Sequence, residues 1–219
     1  MRSDLLPNPR TSRQPLGLAA LRAAVEPLGG AEGRWLPPPL ALADLLPEGL
    51  RRGWVVQIEG GWRGGTSLAL ALAAAAGAQG SWSAWVGLPT LCPLAAAEAG
   101  VPLERCLLVP QPGAAWAEAV ALALEGVDLV VARPPKRVSA TTARRLHGQA
   151  RHHGSVLLLL DGPSWPEPLD VVLEVRSASW HGVEEGHGHL QARRCQVLRT
   201  GRRSGGVPRT AAVWLPGPR

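Results

Sequence analysis

Gly60-Gly61-Trp62-Arg63-Gly64-Gly65-Thr66-Ser67 is a glycine-rich stretch able to cradle an anion. Gly60, Gly65 and the Ser67 hydroxyl fit the phosphate-binding spacing G-x-x-x-x-G-K-[ST], except that Thr66 stands at the lysine position. Such a loop turns backbone N–H groups and a helix N-terminus toward an anion. The lysine normally bridges the outer phosphates of a nucleotide, and the single lysine of this chain, Lys136, is remote in sequence. Gly60, Gly61, Gly64, Gly65, Thr66 and Ser67 therefore form a candidate but vestigial phosphate loop. Backbone groups alone could still touch ATP, yet without the cation no cofactor is expected.

A second kind of chemistry is charge. Arg133, Lys136 and Arg137 precede a helical stretch carrying Arg144, Arg145 and Arg151, a set that could contact the DNA backbone. Arg193, Arg194, Arg199, Arg202, Arg203 and Arg209 form another basic group near the C-terminus, suited to a neighbouring protein. His147, His152 and His153, and His181, His187 and His189, lack a cysteine at ligand spacing, so no metal site is expected. Cys92, Cys106 and Cys195 are odd in number and widely spaced, which argues against a disulfide framework and for small apolar residues. No Ser-His-Asp grouping emerges.

Composition and hydrophobic pattern give the scaffold that carries these groups. The chain has 219 residues, 46% of them hydrophobic, enough for one core with a small appendage. No run of about 18 apolar residues is free of charge, Pro and Gly, so no membrane span is expected. Met1-Arg2-Ser3-Asp4 opens no hydrophobic leader, and a cytoplasmic location is expected. The net charge is +6, nearly all of it arginine, which fits phosphate or acidic partners. Absence of Phe and Tyr beside 9 Trp fits compositional drift equally well.

Residues 1–39 read as an arm, a helix from Pro15 to Leu28 and a stiff connector, Pro37-Pro38-Pro39. Leu18, Leu21, Val25 and Leu28 make an apolar stripe on that helix, able to pack on its own core or on a partner. From residue 40 to 219 a single domain is expected. A helical or turn segment spans Leu40 to Leu50. Strands are expected at Trp54–Ile58, Ser81–Gly87, Arg105–Val109, Val127–Ala132 and Ser155–Leu160, alternating with helices after each of the first four. This alternation predicts an α/β fold with a mostly parallel sheet flanked by helices. Leu169–Ser177, Leu190–Arg199 and Thr210–Leu215 then read as antiparallel C-terminal strands.

The ordered set resembles the RecA recombinase core from about Leu40 to Gly217. Loop 60–67 stands where that family has its Walker A motif, and Val127-Asp128-Leu129-Val130-Val131 resembles its Walker B strand. Ala84-Trp85-Val86 to Pro93, Ala97 to Val101 and Cys106-Leu107-Leu108-Val109 resemble the strand, helix and strand between. Arg193 to Arg199 and Arg209 to Leu215 resemble its closing hairpin. The RecA-like P-loop core implied by the resemblance departs from the family at each catalytic position. The aspartate that helps hold Mg²⁺ after the Walker B strand is replaced by Ala132-Arg133. The acid expected after the second strand falls near Pro89 in Gly87-Leu88-Pro89-Thr90. With lysine, metal-holding acid and water-activating acid absent together, little transition-state stabilisation is left, and no ATPase activity is expected.

A short, degenerate RecA-like chain is similar to the ImuA family, with its ImuA-prime and SulA-like branches. The resemblance implies an adaptor in damage-induced (SOS) translesion synthesis. Its implied partners are an ImuB-like inactive Y-family polymerase and a DnaE-type error-prone polymerase, with DNA backbone contact and self-association left open. Two alternatives are an ATP-dependent, DNA-binding recombinase paralogue and a SulA-like inhibitor of cell division. The stripe Leu18, Leu21, Val25 and Leu28, with Arg193, Arg194, Arg199, Arg202 and Arg203, supplies the candidate partner-binding residues.

Overall fold

The structure is a computed structural model describing residues 33–162, 164–184, 187–203 and 207–216. The arm and the stripe at Leu18, Leu21, Val25 and Leu28 lie outside the described residues.

A two-stranded antiparallel ribbon, β1 (Trp35–Leu36) with β2 (Leu50–Arg51), precedes the main sheet. Leu36 is buried and Pro37–Pro39 are half-buried, so the core begins ahead of residue 40 and the prolines run along it. Gly49 (φ 89°) makes this possible: a Cβ there would strike the Leu36 carbonyl oxygen. Leu40–Leu42 form one 3₁₀ turn.

Strands and helices then alternate as β3 (Val55–Glu59), α1 (Gly65–Ala78), β4 (Ser83–Val86), α2 (Pro93–Glu98), β5 (Cys106–Val109), α3 (Trp116–Gly126), β6 (Leu129–Ala132), α4 (Ala140–His153) and β7 (Val156–Leu160). Then come β8 (Val171–Glu184), β9 (His187–Thr200) and β10 (Arg209–Trp214), and the sheet order is β10-β9-β8-β3-β7-β6-β4-β5. The apolar runs of β6 and β7 are wholly buried, as central parallel strands covered on both faces require. On one face pack α1, α2 and the segment Leu42–Leu50; on the other pack α3 and α4. Helix α1 is nearly all alanine and leucine, so it lies close on the sheet. Ser139 caps α4 by accepting the Thr142 N–H at 3.1 Å, and left-handed Gly154 ends it.

The parallel strands, the flanking helices and the antiparallel pairs β8–β9 and β9–β10 are as expected. One strand differs: β8 runs parallel to β3, Val56 opposite Val171, and β9 alone runs against the other strands, β10 turning back to their direction. The chain leaving β7 passes β3 with no helix and enters β8 in the same direction, so the sheet changes sense at β9.

Two buried aspartates hold the N-terminal ends of the strands. Asp128 accepts the Trp82 N–H at 2.8 Å and pairs with Arg52 at 2.7 Å. Asp170 accepts the Val55 N–H at 3.0 Å and pairs with Arg202 at 3.2 Å. Asp128, the acid of the Walker B-like stretch, thus sits at the end of β6 away from the glycine loop.

Candidate phosphate-loop site

At the other end of the sheet, the C-terminal ends of β3, β7 and β6 bring Gly60, Asp161 and Arg133 together. The loop leaves β3 through Gly60, makes a 3₁₀ turn over Gly61–Arg63 and enters α1 at Gly65. Gly61 (φ 47°) and Gly64 (φ 134°) take left-handed backbone, which glycine adopts without steric cost. The strand–loop–helix geometry is therefore present.

The loop is already in contact with charge from its own chain. Asp161 Oδ1 accepts the Gly60 N–H at 3.1 Å and the Gly61 N–H at 2.7 Å. A Cβ on Gly65 would meet the same carboxylate at 3.3 Å. Asp161 adopts φ 48°, the positive value found at no other non-glycine among the described residues. Aspartate tolerates that region better than most side chains, at a cost the surrounding bonds must offset. Arg133 Nη2 faces Asp161 Oδ2 at 3.6 Å, so a cation occupies the end of β6, just past Ala132.

Arg193 approaches the loop from the opposite side. Its Nη2 donates to the Ser67 hydroxyl and its Nε to the Leu215 carbonyl at 3.0 Å. The guanidinium lies over the Trp180 ring, 4.9 Å from its centroid. A Cβ on Gly64 would come within 2.9 Å of Arg193 Nη2, so glycine is what lets this side chain in. Arg193 is 6% exposed. The Cys195 thiol donates to the Arg63 carbonyl at 3.7 Å, and its burial pushes the thiol pKa up. Gly60, Gly61, Gly64, Gly65 and Ser67 thus meet Asp161 or Arg193, whereas Thr66, at the lysine position, is half-buried.

The other sequence candidates fall elsewhere. Arg193 and Arg199 were expected in an exposed partner-binding group; both are buried, Arg199 donating to the Leu45 and Arg203 carbonyls at 2.7 and 2.8 Å. They alternate with polar positions on β9 and point into the core with Cys195 and Val197. Arg194, Arg202, Arg203 and Arg209 are exposed. Lys136, Arg137, Arg144, Arg145 and Arg151 are exposed as well, with Arg133 half-buried. They do not line one sheet edge, because α4 crosses between the interior strands β6 and β7. The helix alone sets Arg151 about 16 Å along its axis from Ala140 at 1.5 Å per residue, with Arg137 ahead of its start. Among the described residues no group of three or more His, Cys, Asp or Glu is placed to hold a metal ion.

Asp161 and Arg193 were missed as loop contacts. Asp161 had a sequence signal: a lone acid closing a wholly apolar strand, at the sheet end where α/β folds bind ligands. Arg193 had none, since its loop contact needs a pairing between residues 126 positions apart.

The family model for the MT3502 N-terminal domain matches residues 44–167, more than half the chain, from within the Leu40–Leu50 segment to past the end of β7. The chain belongs to this family. Among curated relatives, the MT3502-type chain is 38% identical over 128 residues to the uncharacterized protein Rv3395c of Mycobacterium tuberculosis (strain ATCC 25618 / H37Rv). That match covers 57% of this chain and 61% of Rv3395c, so it spans less than two thirds of the relative. Among solved structures, the RadB recombinase superposes with a TM-score of 0.52 at 16% identity, covering 78% of this chain and 92% of that one. The likeness establishes a RecA-like fold. Among the described residues no helix is long and apolar enough to cross a membrane.

Proposed function

We propose that this protein is a non-catalytic RecA-like adaptor in DNA repair, acting in damage-induced translesion synthesis beside an ImuB-like inactive polymerase homologue and a DnaE-type polymerase. The observation that carries the non-catalytic part is the internal filling of the loop. Asp161 takes the N–H groups of Gly60 and Gly61, Arg193 takes the Ser67 hydroxyl, and Arg133 stands past the end of β6 where an ATPase needs an acid. A nucleotide–metal complex would have to displace charges already satisfied by the protein, would find no lysine, and would meet the Asp161 carboxylate already engaged by Gly60, Gly61 and Arg133. The repair part rests on the RecA-like fold and on the exposed arginines, and the partners rest on the ImuA resemblance.

The test is turnover of ATP by purified protein with Mg²⁺, with and without single-stranded DNA. The expected result is no hydrolysis above background. DNA-stimulated turnover of about one per second or more, abolished by Gly65→Asp, would instead make the protein an ATP-dependent recombinase paralogue. For the adaptor role, the ImuB-like protein should be retained by immobilised full-length chain, and failure to retain it would remove that partner.

A further inference from the structure

Trp62 sits in the middle of the 3₁₀ turn of the glycine loop and is 82% exposed. Of the 9 tryptophans it stands furthest into solvent, whereas Trp85, Trp116 and Trp165 are buried. A single exposed apolar residue needs no partner; the setting of Trp62 is what sets it apart. The Arg63 guanidinium lies over the indole, 5.1 Å from its centroid, and covers one face. The other face is left to water. The backbone beneath is pinned: Asp161 holds the Gly60 and Gly61 N–H groups, and the Cys195 thiol donates to the Arg63 carbonyl. The indole is thus presented from a fixed turn, which lowers the ordering cost of using it.

Cations collect at the same end of the sheet. Asp161 holds the loop through one oxygen and faces Arg133 Nη2 at 3.6 Å through the other. Arg133 opens the linker from β6 to α4, and Pro134 behind it packs so closely on Gly162 that a Cβ there would strike its ring. Lys136 and Arg137 follow on that linker and are exposed. Among the described residues no carboxylate pairs with Arg63, Lys136 or Arg137. The acids Glu59 and Glu174 lie on the other flank, opposite each other across β3 and β8, with Arg176 bonded to Glu174.

We propose that Trp62 is a stacking platform for a base of single-stranded nucleic acid, whose phosphates continue past Arg133 to Lys136 and Arg137. An open indole face beside unpaired cations calls for a ligand with a planar ring and negative charge together. A single strand supplies both, since every base has a π-face and every nucleotide a phosphate. Unpaired bases are free to leave their own stack for an aromatic side chain. The platform rests on the repair reading for its ligand, and it gives the glycine loop a contact that α4 does not make.

The test is fluorescence anisotropy of the full chain with a labelled oligothymidylate of about 20 nucleotides and with an abasic strand of the same length, which keeps the phosphates and lacks the bases. Trp62→Ala should weaken binding of the oligothymidylate by about 5- to 150-fold with an unchanged salt slope, and should leave the abasic strand unaffected. Trp62→Phe should restore most of the loss, because a smaller ring still stacks. Lys136→Ala with Arg137→Ala should lower the salt slope on both strands by about 1.4. Equal loss on both strands, or no loss on either, would overturn the stacking role of Trp62. An unchanged slope in the double variant would overturn the path of the phosphates. A wild type that retains the ImuB-like protein yet binds neither strand would overturn the platform and leave the adaptor reading standing. Loss of that protein in Trp62→Ala would then assign the indole to a protein surface.

Discussion

The glycine loop and helix α4 treat charge in opposite ways. At the loop, Asp161 and Arg193 are held by partners within the chain, and Arg193 is buried with both of its acceptors, Ser67 and Leu215, in place. Along α4 the cations stand in water: Arg144 reaches Glu167 at 3.1 Å but is 74% exposed, and Arg145 and Arg151 are exposed. An exposed ion pair of that kind contributes about 0–1 kcal/mol, whereas a buried polar group left without its partner costs roughly 1–3 kcal/mol. The loop's charges therefore belong to the fold, while those of α4 are left facing solvent.

The largest effect should come from the loop. Arg193→Ala removes two hydrogen bonds, strands the buried Leu215 carbonyl and leaves a hole beside Gly64. It should lower stability by about 2–3 kcal/mol, read as a lower urea midpoint with unchanged slope. Arg193→Lys should recover less than half of this, because one ammonium cannot serve Ser67 and Leu215 as a planar fork does. Asp161→Ala should cost about 0.5–1.5 kcal/mol, because it removes the acceptor of the half-buried Gly60 N–H while water can take the exposed Gly61 N–H. Asp161→Asn should cost less, since it keeps one acceptor and tolerates positive φ. A neutral outcome for both alanine variants would break the contrast, because the loop's charges would then not hold the fold.

A smaller effect lies on the inner face of α4. His147 is buried, and its Nε2 accepts the Trp165 indole N–H at 3.0 Å, which requires a bare nitrogen. Burial lowers its pKa below the ordinary 6.5, helped by Arg151 and Arg202 and opposed by Asp170 and Glu167. The folded chain therefore resists protonation more than the unfolded chain does. The stability from neutral His147 is complete above about pH 6.5 and is lost as pH falls from there toward the folded value. The loss cannot exceed about 1.4 kcal/mol per pH unit. Urea midpoints from pH 7.5 to 5 should fall in wild type and fall less in His147→Gln. Equal slopes would remove His147 as the cause.

Much of the fold was legible because it rests on local signals. The apolar runs of β3, β6 and β7, the alanine-rich α1 and the Ser139 cap each announce their element within a few residues. The sense of β8 was not, since parallel and antiparallel strands read alike and only the path past β3 decides. The glycine loop was legible as backbone, but its chemistry was not. Arg193 looked like its neighbour Arg194 in composition, yet strand alternation sends one inward and the other outward. The six-arginine group of the hairpin therefore divides into the buried Arg193 and Arg199 and the exposed remainder. Alternation along β9 separates Arg194 from Arg193 and Arg199, and Arg202, Arg203 and Arg209 lie beyond that strand.

The smallest effect on the fold, and the one that most sharpens the contrast, concerns the outer face of α4. Arg144→Ala, Arg145→Ala and Arg151→Ala together should leave the urea midpoint nearly unchanged, since surface pairs contribute so little. Binding to single-stranded DNA should nonetheless weaken and lose salt dependence, because each neutralised phosphate adds about 0.7 to the slope of log affinity against log salt. Arg144 and Arg151 are seven residues apart and so share a helix face, while Arg145 is turned away by roughly 100°. A strand lying along α4 can therefore meet two of the three side chains at once, and the slope should drop by about 1.4. Fluorescence anisotropy measures it from about 20 mM salt upward, a regime of weak screening with a Debye length of roughly 20 Å. An unchanged slope would move any DNA contact to Lys136, Arg137 or the exposed hairpin arginines. A wild type that binds nothing at low salt would leave the outward charge of α4 to an acidic protein surface.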